Sequence, residues 1–398
     1  MPTPAFEGGK PQRRRYLPYG QHNLTPTDVN AAIRVLRSKW ITQGPIVDEF
    51  EEAFSKAIGC EHAVAVNSGT AALHAAVASL NLKPSDEVIT TPLTFVATIN
   101  AILFAGAKPR LADIDPMTLN LDPKAVADRL TENTRAVIFV HFAGNPSGFG
   151  DFIELSRDRQ LSLIDDASHA LGAKHNKRRI GSFHESTSTF SFHPVKHVTT
   201  GEGGMVTTAD AKKADFIRAF RNHGITSQAR ERYGTTAPWH YDAQFLGWNY
   251  RLNDISCSLG SSQLRRLGNI LARRAAIAEF YQRKFKGTPQ IELQTVRTDC
   301  QHAWHLFPIL LRLEALDVDR DRFLSALRAE NIGAAVHYSP AHLFSFHRRV
   351  LGYKKGDFPV AESVSSRIIS LPIFPTMTRR DCDDVVRAVK KLMDYYAK

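Results

Sequence analysis

The sequence predicts an α/β protein in which a mostly parallel sheet forms a large domain and a smaller α+β domain follows it. Between about residues 30 and 210, short β-rich runs alternate with helical patterns. Alternating βα units imply a mostly parallel sheet with helices on both faces. Beyond about residue 265 this alternation stops, and 398 residues suffice for more than one domain. We expect an N-terminal arm at 1–20, a large domain at 21–264 and a small C-terminal domain at 265–398.

The elements of the large domain follow from short apolar runs and from helical periodicity. The predicted strands span residues 62–67, 87–91, 136–141, 161–165, 186–192 and 205–208. The predicted helices between them include 28–39, 47–58, 70–80, 95–104 and 123–129. Ligands bind at the carboxyl ends of the strands in sheets of this kind, so we expect the functional site there.

The C-terminal third has a different order of elements. A long helical stretch at 255–282 contains two glycines and is expected to break near Gly268. It is followed by a strand at 304–311, a helix at 320–331, a short strand at 334–337 and a terminal helix at 379–396. This order predicts an α+β unit that covers one side of the large domain.

Composition and charge disfavour several classes of protein. The net charge is +11, but the basic pairs are scattered along the chain, which indicates solvated faces rather than a nucleic-acid-binding stripe. A positive field also attracts anionic small molecules such as a nucleotide-sugar diphosphate. No apolar run reaches the ~18–20 residues of a membrane span, and the N-terminus lacks the apolar segment of a secretory signal. Four cysteines without a CxxC pair suggest reduced thiols in a cytoplasmic protein.

One lysine has an unusual setting. In the stretch SFHPVKHVTTGEGG, Lys196 follows a predicted strand and precedes three glycines in four residues. An ordinary lysine amine, with a pKa of about 10.4, is almost wholly protonated and a poor nucleophile. It becomes useful as an imine to a carbonyl cofactor such as pyridoxal phosphate (PLP). PLP needs an anion beside its pyridine nitrogen, donors for its phosphate and a flat surface against its ring.

The anion candidate is Asp166. The run LSLIDDASHALGA is an apolar strand that ends in two acids, Asp165 and Asp166. A carboxylate at the end of such a strand points into the ligand crevice, where it favours a protonated pyridine nitrogen. The alternative is that one or both acids cap a following helix.

Donors for a phosphate come from two places. Ser68, Gly69 and Thr70 lie between a predicted strand and a helix, where backbone N–H groups form an anion site, although an ordinary N-cap has the same pattern. Ser191, five residues before Lys196, adds a hydroxyl. The GxxxxGK[ST] pattern of a Walker P-loop is absent, and the glycines of GEGGM do not fit a dinucleotide fingerprint.

Aromatic and histidine side chains complete the predicted site. Phe95, at the start of a helix, is the candidate for stacking on the ring, although a position in the core is the alternative. His337 and Tyr338 are candidates for lining a polar sugar pocket, and His223 for a structural or site role. None of the sixteen histidines has HExxH spacing, so we expect no metal.

These motifs together resemble the DegT/DnrJ/EryC1/StrS sugar aminotransferases, which are fold-type I PLP enzymes. The resemblance covers about residues 20–396. The matching stretches are NSGTAAL, TPLTFVATINAI, DDASHALGA, SFHPVKHVTTGEGGMV, FRNHG and GWNYRLNDISCSLGSSQL. The resemblance implies a PLP-binding large domain and an enzyme that transfers an amino group to a nucleotide-linked keto-sugar.

The resemblance also implies roles for individual residues. Lys196 matches the lysine that binds PLP and then moves the substrate proton, and its presence favours transamination over the dehydration of members with histidine there. Asp165 stands where many members have Glu. Asn249 matches an asparagine that reaches the cofactor phosphate of the other subunit, which implies a homodimer with shared active sites. The remaining matches are Asp166 at the pyridine nitrogen, Phe95 on the ring, Gly69, Thr70 and Ser191 at the phosphate, and His169 near the face or phenolic oxygen of the cofactor.

Within the family, several stretches, including NIGAAVHYSPAH, are most similar to members that use glutamate to aminate C4 of a UDP-linked 4-keto-6-deoxy-N-acetylhexosamine. Two alternatives remain open. The first is another nucleotide 4-keto sugar, such as UDP-4-keto-arabinose or a GDP- or dTDP-linked 4-keto-6-deoxyhexose. The second is a non-catalytic regulator that keeps the fold and binds DNA, which the Lys196, Asp166 and Ser191 set argues against.

Overall fold

A seven-stranded sheet organises the first half of the chain in the computed structural model, which describes residues 2–225 and 241–398. Its strands are β1 (His62–Val66), β2 (Glu87–Thr90), β3 (Lys108–Leu111), β4 (Thr134–Val140), β5 (Ser162–Asp166), β8 (Ser186–Ser191) and β9 (Gly204–Thr208). Their order is β1-β9-β8-β5-β4-β2-β3. Only β9 runs antiparallel to its neighbours, so the predicted α/β class with a mostly parallel sheet is confirmed. The edge strand β3 was not predicted.

Both faces of this sheet are buried under helices. The helices of this region are α1 (Pro26–Leu36), α2 (Pro45–Ile58), α3 (Gly69–Ala78), α4 (Val96–Phe104), α5 (Pro123–Ala127), α6 (Phe149–Asp158), α7 (Ala211–Phe220) and α8 (Asp254–Leu264). Of these, α1 packs against α8. Ala63 and Ala65 of β1 pack into one core cluster, and Val64 and Val66 pack into another. Successive strand residues point to opposite faces, so this alternation shows that each face has its own core. Among residues 2–225 and 241–398, no helix has the length and apolar content needed to cross a bilayer.

The rest of the chain builds two small antiparallel sheets and their helices. The elements are α9 (Leu267–Phe285), β10 (Ile291–Leu293), β11 (Cys300–Gln301), β12 (Phe307–Leu311), α10 (Arg320–Ala329), α11 (Ser345–Leu351), α12 (Pro359–Arg367), β13 (Ile368–Leu371) and α13 (Arg379–Tyr395). One sheet has the order β10-β12-β13. In the other, β11 pairs with the hairpin of β6 (Lys174–His175) and β7 (Arg178–Arg179).

One predicted detail of the C-terminal region is confirmed and one is wrong. The long helix is broken close to Gly268, as expected, at Arg265 and Arg266 between α8 and α9. The segment 334–337 is not a strand, because only Ala335 forms a bridge, with Ser370, before the chain turns towards a cavity.

The N-terminal arm is ordered against the C-terminal elements. The buried carboxylate of Glu330 accepts hydrogen bonds from the backbone N–H groups of Ala5 (2.8 Å) and Gln12 (2.6 Å). The same carboxylate pairs with the ammonium of Lys391 at 2.8 Å. Leu17, at the end of this stretch, is buried in the C-terminal core. The arm therefore has a fixed path that ends beside the cavity.

Candidate active site

A cavity of about 400 Å³ opens at the carboxyl ends of β5 and β8, where a ligand is expected in a sheet of this kind. Ten of the eleven residues predicted to form the site line it. They are Ser68, Gly69, Thr70, Phe95, Asp166, His169, Ser191, Lys196, His337 and Tyr338. The remaining residue, Asn249, is exposed outside the cavity, and its backbone carbonyl accepts a hydrogen bond from the Asn67 side chain at 3.2 Å.

Lys196 lies in the loop between β8 and β9. Its backbone N–H donates to the His193 carbonyl at 2.9 Å. Burial lowers the pKa of Lys196 to about 8, and nearby Asp166 opposes part of this effect by favouring the charged form. A larger fraction of this amine is neutral near pH 7 than for an exposed lysine, which suits a nucleophile.

Close contacts between chain segments explain two glycines of the site, Gly69 and Gly204. A Cβ on Gly204 would lie 2.4 Å from the carbonyl oxygen of Ser68. A Cβ on Gly69 would lie 2.8 Å from the Cβ of Ser191. The start of β9, the end of β8 and the start of α3 therefore approach each other at the floor of the cavity, where side chains would separate them.

The two consecutive aspartates point to opposite faces of the sheet, as residues in a strand do. Asp166 faces the cavity, where it accepts hydrogen bonds from the Thr98 hydroxyl (2.9 Å) and the Ser168 backbone N–H (3.1 Å). Asp165 is buried on the other face and accepts a hydrogen bond from the Ser188 hydroxyl at 2.6 Å. No helix follows β5 within the described residues 167–175, so the alternative that these acids cap a helix is wrong.

The N-terminus of α3 faces the same cavity. The Ser68 hydroxyl accepts a hydrogen bond from the Ala71 N–H at 3.0 Å, so Ser68 is also the N-cap of the helix. Gly69 and Thr70 form its first turn, and Ser191 lies against Gly69. The partial positive charge of a helix N-terminus, together with hydroxyl groups, suits a phosphate.

Neutral aromatic and imidazole rings form the opposite wall. The Tyr338 hydroxyl lies 3.1 Å from Nε2 of His169, and their rings are nearly parallel. Burial and the charge of Lys196 hold the pKa of His169 well below its usual range, and burial raises the pKa of Tyr338. Burial also lowers the pKa of His337 to about 4. Phe95 is 58% exposed at the rim, so its ring is a surface that faces the cavity rather than part of the core.

The cavity also contains residues that were not predicted. Thr98 of α4 orients Asp166, and His305 packs against His169 with ring centroids 4.3 Å apart. Tyr19 comes from the N-terminal arm and contacts His337 at 5.5 Å between ring centroids. Of these three residues, only Thr98 belongs to a motif that the sequence made recognisable, TPLTFVATINAI.

This set of residues fits PLP. An amine with a lowered pKa faces a carboxylate held by two donors, and a helix N-terminus with hydroxyl groups lies beside them. Phe95 supplies the aromatic surface. These are the groups that the cofactor requires for its aldehyde, pyridine nitrogen, phosphate and ring. The fold and the site therefore define a PLP-dependent enzyme.

Comparison with known proteins gives the family. The chain belongs to the DegT/DnrJ/EryC1/StrS aminotransferase family, whose model matches residues 23–390. It is 43% identical to the uncharacterized protein MJ1066 of Methanocaldococcus jannaschii, over 96% of this chain and 98% of that protein. It is 38% identical to the spore coat polysaccharide biosynthesis protein SpsC of Bacillus subtilis, again over 96% and 98%.

Solved structures agree with this assignment. Helicobacter pylori PseC, an aminotransferase involved in pseudaminic acid biosynthesis, superposes with a TM-score of 0.89 at 30% identity, covering 96% of this chain and all of that one. The PLP form of the sugar aminotransferase Spr1654 from Streptococcus pneumoniae gives 0.86 at 27% identity, covering 96% and 99%. The predicted family, fold type, enzyme class and PLP cofactor are thereby confirmed.

Proposed function

We propose that this sugar aminotransferase transfers the amino group of L-glutamate to C4 of a UDP-linked 4-keto-6-deoxy-N-acetylhexosamine. The product is UDP-4-amino-4,6-dideoxy-N-acetyl-β-L-altrosamine. The observation that carries the transamination is the presence of Lys196 and Asp166 in one cavity, beside the N-terminus of α3. The substrate proposal is supported by the similarity to PseC over nearly the whole of both chains.

Each group of residues in the cavity is assigned a different role in the reaction. Bound PLP supplies an electron sink that stabilises negative charge on the substrate carbon. Asp166 keeps the pyridine nitrogen protonated, because an adjacent carboxylate favours the cationic ring. The Nζ atom of Lys196 carries the substrate proton, for which a pKa of about 8 is well matched near neutral pH. Gly69, Thr70 and Ser191 would hold the phosphate of PLP, and Phe95 would lie against its ring, since all four line the cavity.

The sugar-binding side of the cavity is assigned to His337 and Tyr338. Both line the same cavity as Lys196 and are uncharged near neutral pH, because burial disfavours their ionised forms. Neutral imidazole and phenol groups donate and accept hydrogen bonds, as recognition of hydroxyl and amide groups of a sugar requires.

The proposed assembly is a homodimer with shared active sites. Exposed apolar side chains support it, because a surface of this kind normally has a partner. Leu36 of α1 is 58% exposed, and Leu246 and Trp248 are 84% and 45% exposed. Asn249, next to Trp248, lies outside its own chain's cavity and is assigned to the cofactor phosphate of the second subunit. Four free cysteines support the proposed cytoplasmic location.

A specific test of the shared site is subunit complementation. Lys196→Ala and Asn249→Ala are each expected to reduce turnover strongly. Mixed dimers of the two variants contain one site with both native residues, so mixing should restore part of the activity. Lys212→Ala, an exposed lysine on α7, is the control for Lys196→Ala. A monomer in solution, or the absence of any restored activity after verified subunit exchange, would contradict the shared site.

The substrate proposal is tested with a panel of nucleotide keto-sugars. UDP-, GDP- and dTDP-linked 4-keto sugars are supplied with glutamate, and the amino-sugar products are measured by mass spectrometry. We expect the UDP-linked N-acetylhexosamine to have the highest kcat/KM. A second candidate is another nucleotide 4-keto sugar, because the relative SpsC is named for spore coat polysaccharide biosynthesis. A preference for a different panel member would establish it.

A further inference from the structure

Three side chains of different chemistry converge at the small sheet formed by β6, β7 and β11. His175 ends β6, Cys300 begins β11, and Asp299 precedes Cys300 in a turn. The atoms His175 Nδ1, an Asp299 carboxylate oxygen and Cys300 Sγ all lie within 4.8 Å of one another. Imidazole nitrogen, carboxylate oxygen and thiolate sulfur are the ligand atoms that Zn²⁺ takes in proteins.

Two of the three distances between ligand atoms match the edges of a zinc-centred tetrahedron, and the third, from the Asp299 carboxylate to Cys300 Sγ, is within 4.8 Å. Zinc bonds of about 2.0–2.2 Å to nitrogen and oxygen and about 2.3 Å to sulfur place neighbouring ligands about 3.4 Å (N to O) and about 3.6 Å (S to N) apart. Nδ1 of His175 lies 3.3 Å from Oδ2 of Asp299 and 3.7 Å from Sγ of Cys300. The three side chains therefore need little movement to share one ion.

The surroundings hold these ligands in place. Gly150 leaves room for the imidazole, because a Cβ there would lie 2.6 Å from Nε2 of His175. Zinc at Nδ1 places the ring proton on Nε2, so the Asn176 side-chain amide, whose nitrogen lies 3.2 Å from Nε2, has to turn and present its oxygen as the acceptor that metal-bound histidines have. The Asn176 backbone N–H donates to the Asp299 carbonyl at 2.8 Å. The Asp299 side chain is 36% exposed, which leaves an entry path and space for a water ligand.

A nucleophilic triad is the alternative explanation for Cys, His and Asp side chains in contact. In such a triad, the nucleophile contacts one ring nitrogen and the acid contacts the other. Here the sulfur and the carboxylate both face Nδ1. Convergence on a single nitrogen favours coordination of one ion over a proton relay.

We propose that His175, Asp299 and Cys300 bind one zinc ion, with a water molecule as the fourth ligand. On binding, the thiol proton of Cys300 is released to solvent and the sulfur coordinates as thiolate. The site lies apart from the proposed cofactor cavity, since none of its three ligands lines that cavity.

The position of this site gives it a structural consequence. Cys300 pairs with His175 in the β6–β11 register, and a few residues away on the same two segments His305 packs against His169. The ion would therefore join two segments whose other ends meet at the wall of the cavity. A metal that joins the two segments at one end limits their separation at the other.

The test uses tag-free protein from which metal has been removed with a chelator. Zn²⁺ is titrated in competition with a chromophoric chelator, and Co²⁺ is added separately as a spectroscopic probe. We expect one tightly bound Zn²⁺ per chain, and a thiolate-to-Co²⁺ charge-transfer band together with tetrahedral cobalt absorption. Cys300→Ser and His175→Gln should each weaken Zn²⁺ binding about tenfold or more and, in the cobalt experiment, remove the charge-transfer band or reduce it.

Controls separate this site from the other thiols and histidines. Cys60→Ser changes a partly buried thiol elsewhere, and His184→Gln changes an exposed histidine; both should bind Zn²⁺ as the wild type does. Binding that is absent, or unchanged in Cys300→Ser, would overturn the proposal. If the ligand variants fail to fold, the wild-type cobalt spectrum decides, because a spectrum without a thiolate band excludes Cys300 as a ligand.

Discussion

Substitution of Glu330 is expected to release the N-terminal arm. Its fully buried carboxylate accepts two backbone N–H groups of the arm and pairs with Lys391, which is itself 9% exposed. Glu330→Ala leaves the Lys391 ammonium without its counter-ion, although that ammonium also donates to the Lys10 carbonyl, and it leaves two backbone donors unsatisfied. Removing one partner of a buried ion pair costs about 3–5 kcal/mol. Since 1.4 kcal/mol is a factor of ten, the population with a detached arm should rise about 100-fold or more.

Limited proteolysis measures this population directly. Arg13, Arg14 and Arg15 give trypsin three sites within the arm, and cleavage of a locally opened segment follows its open population. The initial rate of cleavage there should rise about 100-fold in Glu330→Ala. The melting temperature should fall only modestly, because the C-terminal core stays folded when the arm detaches. Glu314→Ala, an exposed acid nearby, is the control. Unchanged cleavage in Glu330→Ala would refute the role of Glu330 in holding the arm.

Three further predictions concern the cavity. Burial lowers the pKa of Lys196 to about 8, so the rate at which the apo-protein binds PLP should rise with pH and level off above about pH 8. Stopped-flow absorbance measures this rate, and a continued rise towards pH 10 would contradict the prediction. Gly69→Ala places a Cβ 2.8 Å from that of Ser191, so PLP retention during dialysis should fall, and the double variant with Ser191→Gly should regain the space but not the hydroxyl. Thr98→Val removes a hydrogen bond to the Asp166 carboxylate worth about 1.5–3 kcal/mol and should reduce kcat, whereas Thr98→Ser keeps the hydroxyl and should retain kcat. Equal kcat in the two variants would exclude a role for the hydroxyl.

Most of the sheet could be predicted because most of its strands are buried on both faces and read as short apolar runs. The strand β8, with the sequence STSTFS, is instead rich in threonine and serine. The strand that was not predicted is β3, whose residues Lys108–Leu111 include Lys, Pro and Arg. It is an edge strand, where proline is tolerated and apolar periodicity is weak. The antiparallel direction of β9 has a local cause as well. The loop that contains Lys196 has no crossover helix, and a parallel connection requires one.

Some residues of the site could also be predicted from the local sequence, and others could not. Lys196 and Asp166 lie at strand ends, and their chemistry is visible in the local sequence. The contact between His305 and His169 joins residues from distant parts of the chain, as does the contact between Tyr19 and His337, and no local pattern encodes either of them. Asn249 could be assigned to the site only through the family resemblance, and in the single chain it does not line the cavity.

Arg274 has a consequence for how the enzyme moves. This fully buried guanidinium donates to the carbonyls of Val195, His305 and Ile373, at 3.4, 3.2 and 3.0 Å. One of these carbonyls is next to Lys196, and the other two belong to the C-terminal region. A swinging motion of that region would break these bonds inside a dry interior, where unpaired carbonyls are costly. Substrate should therefore enter and leave an essentially rigid cleft, with selectivity residing in its shape before binding rather than in closure around the sugar.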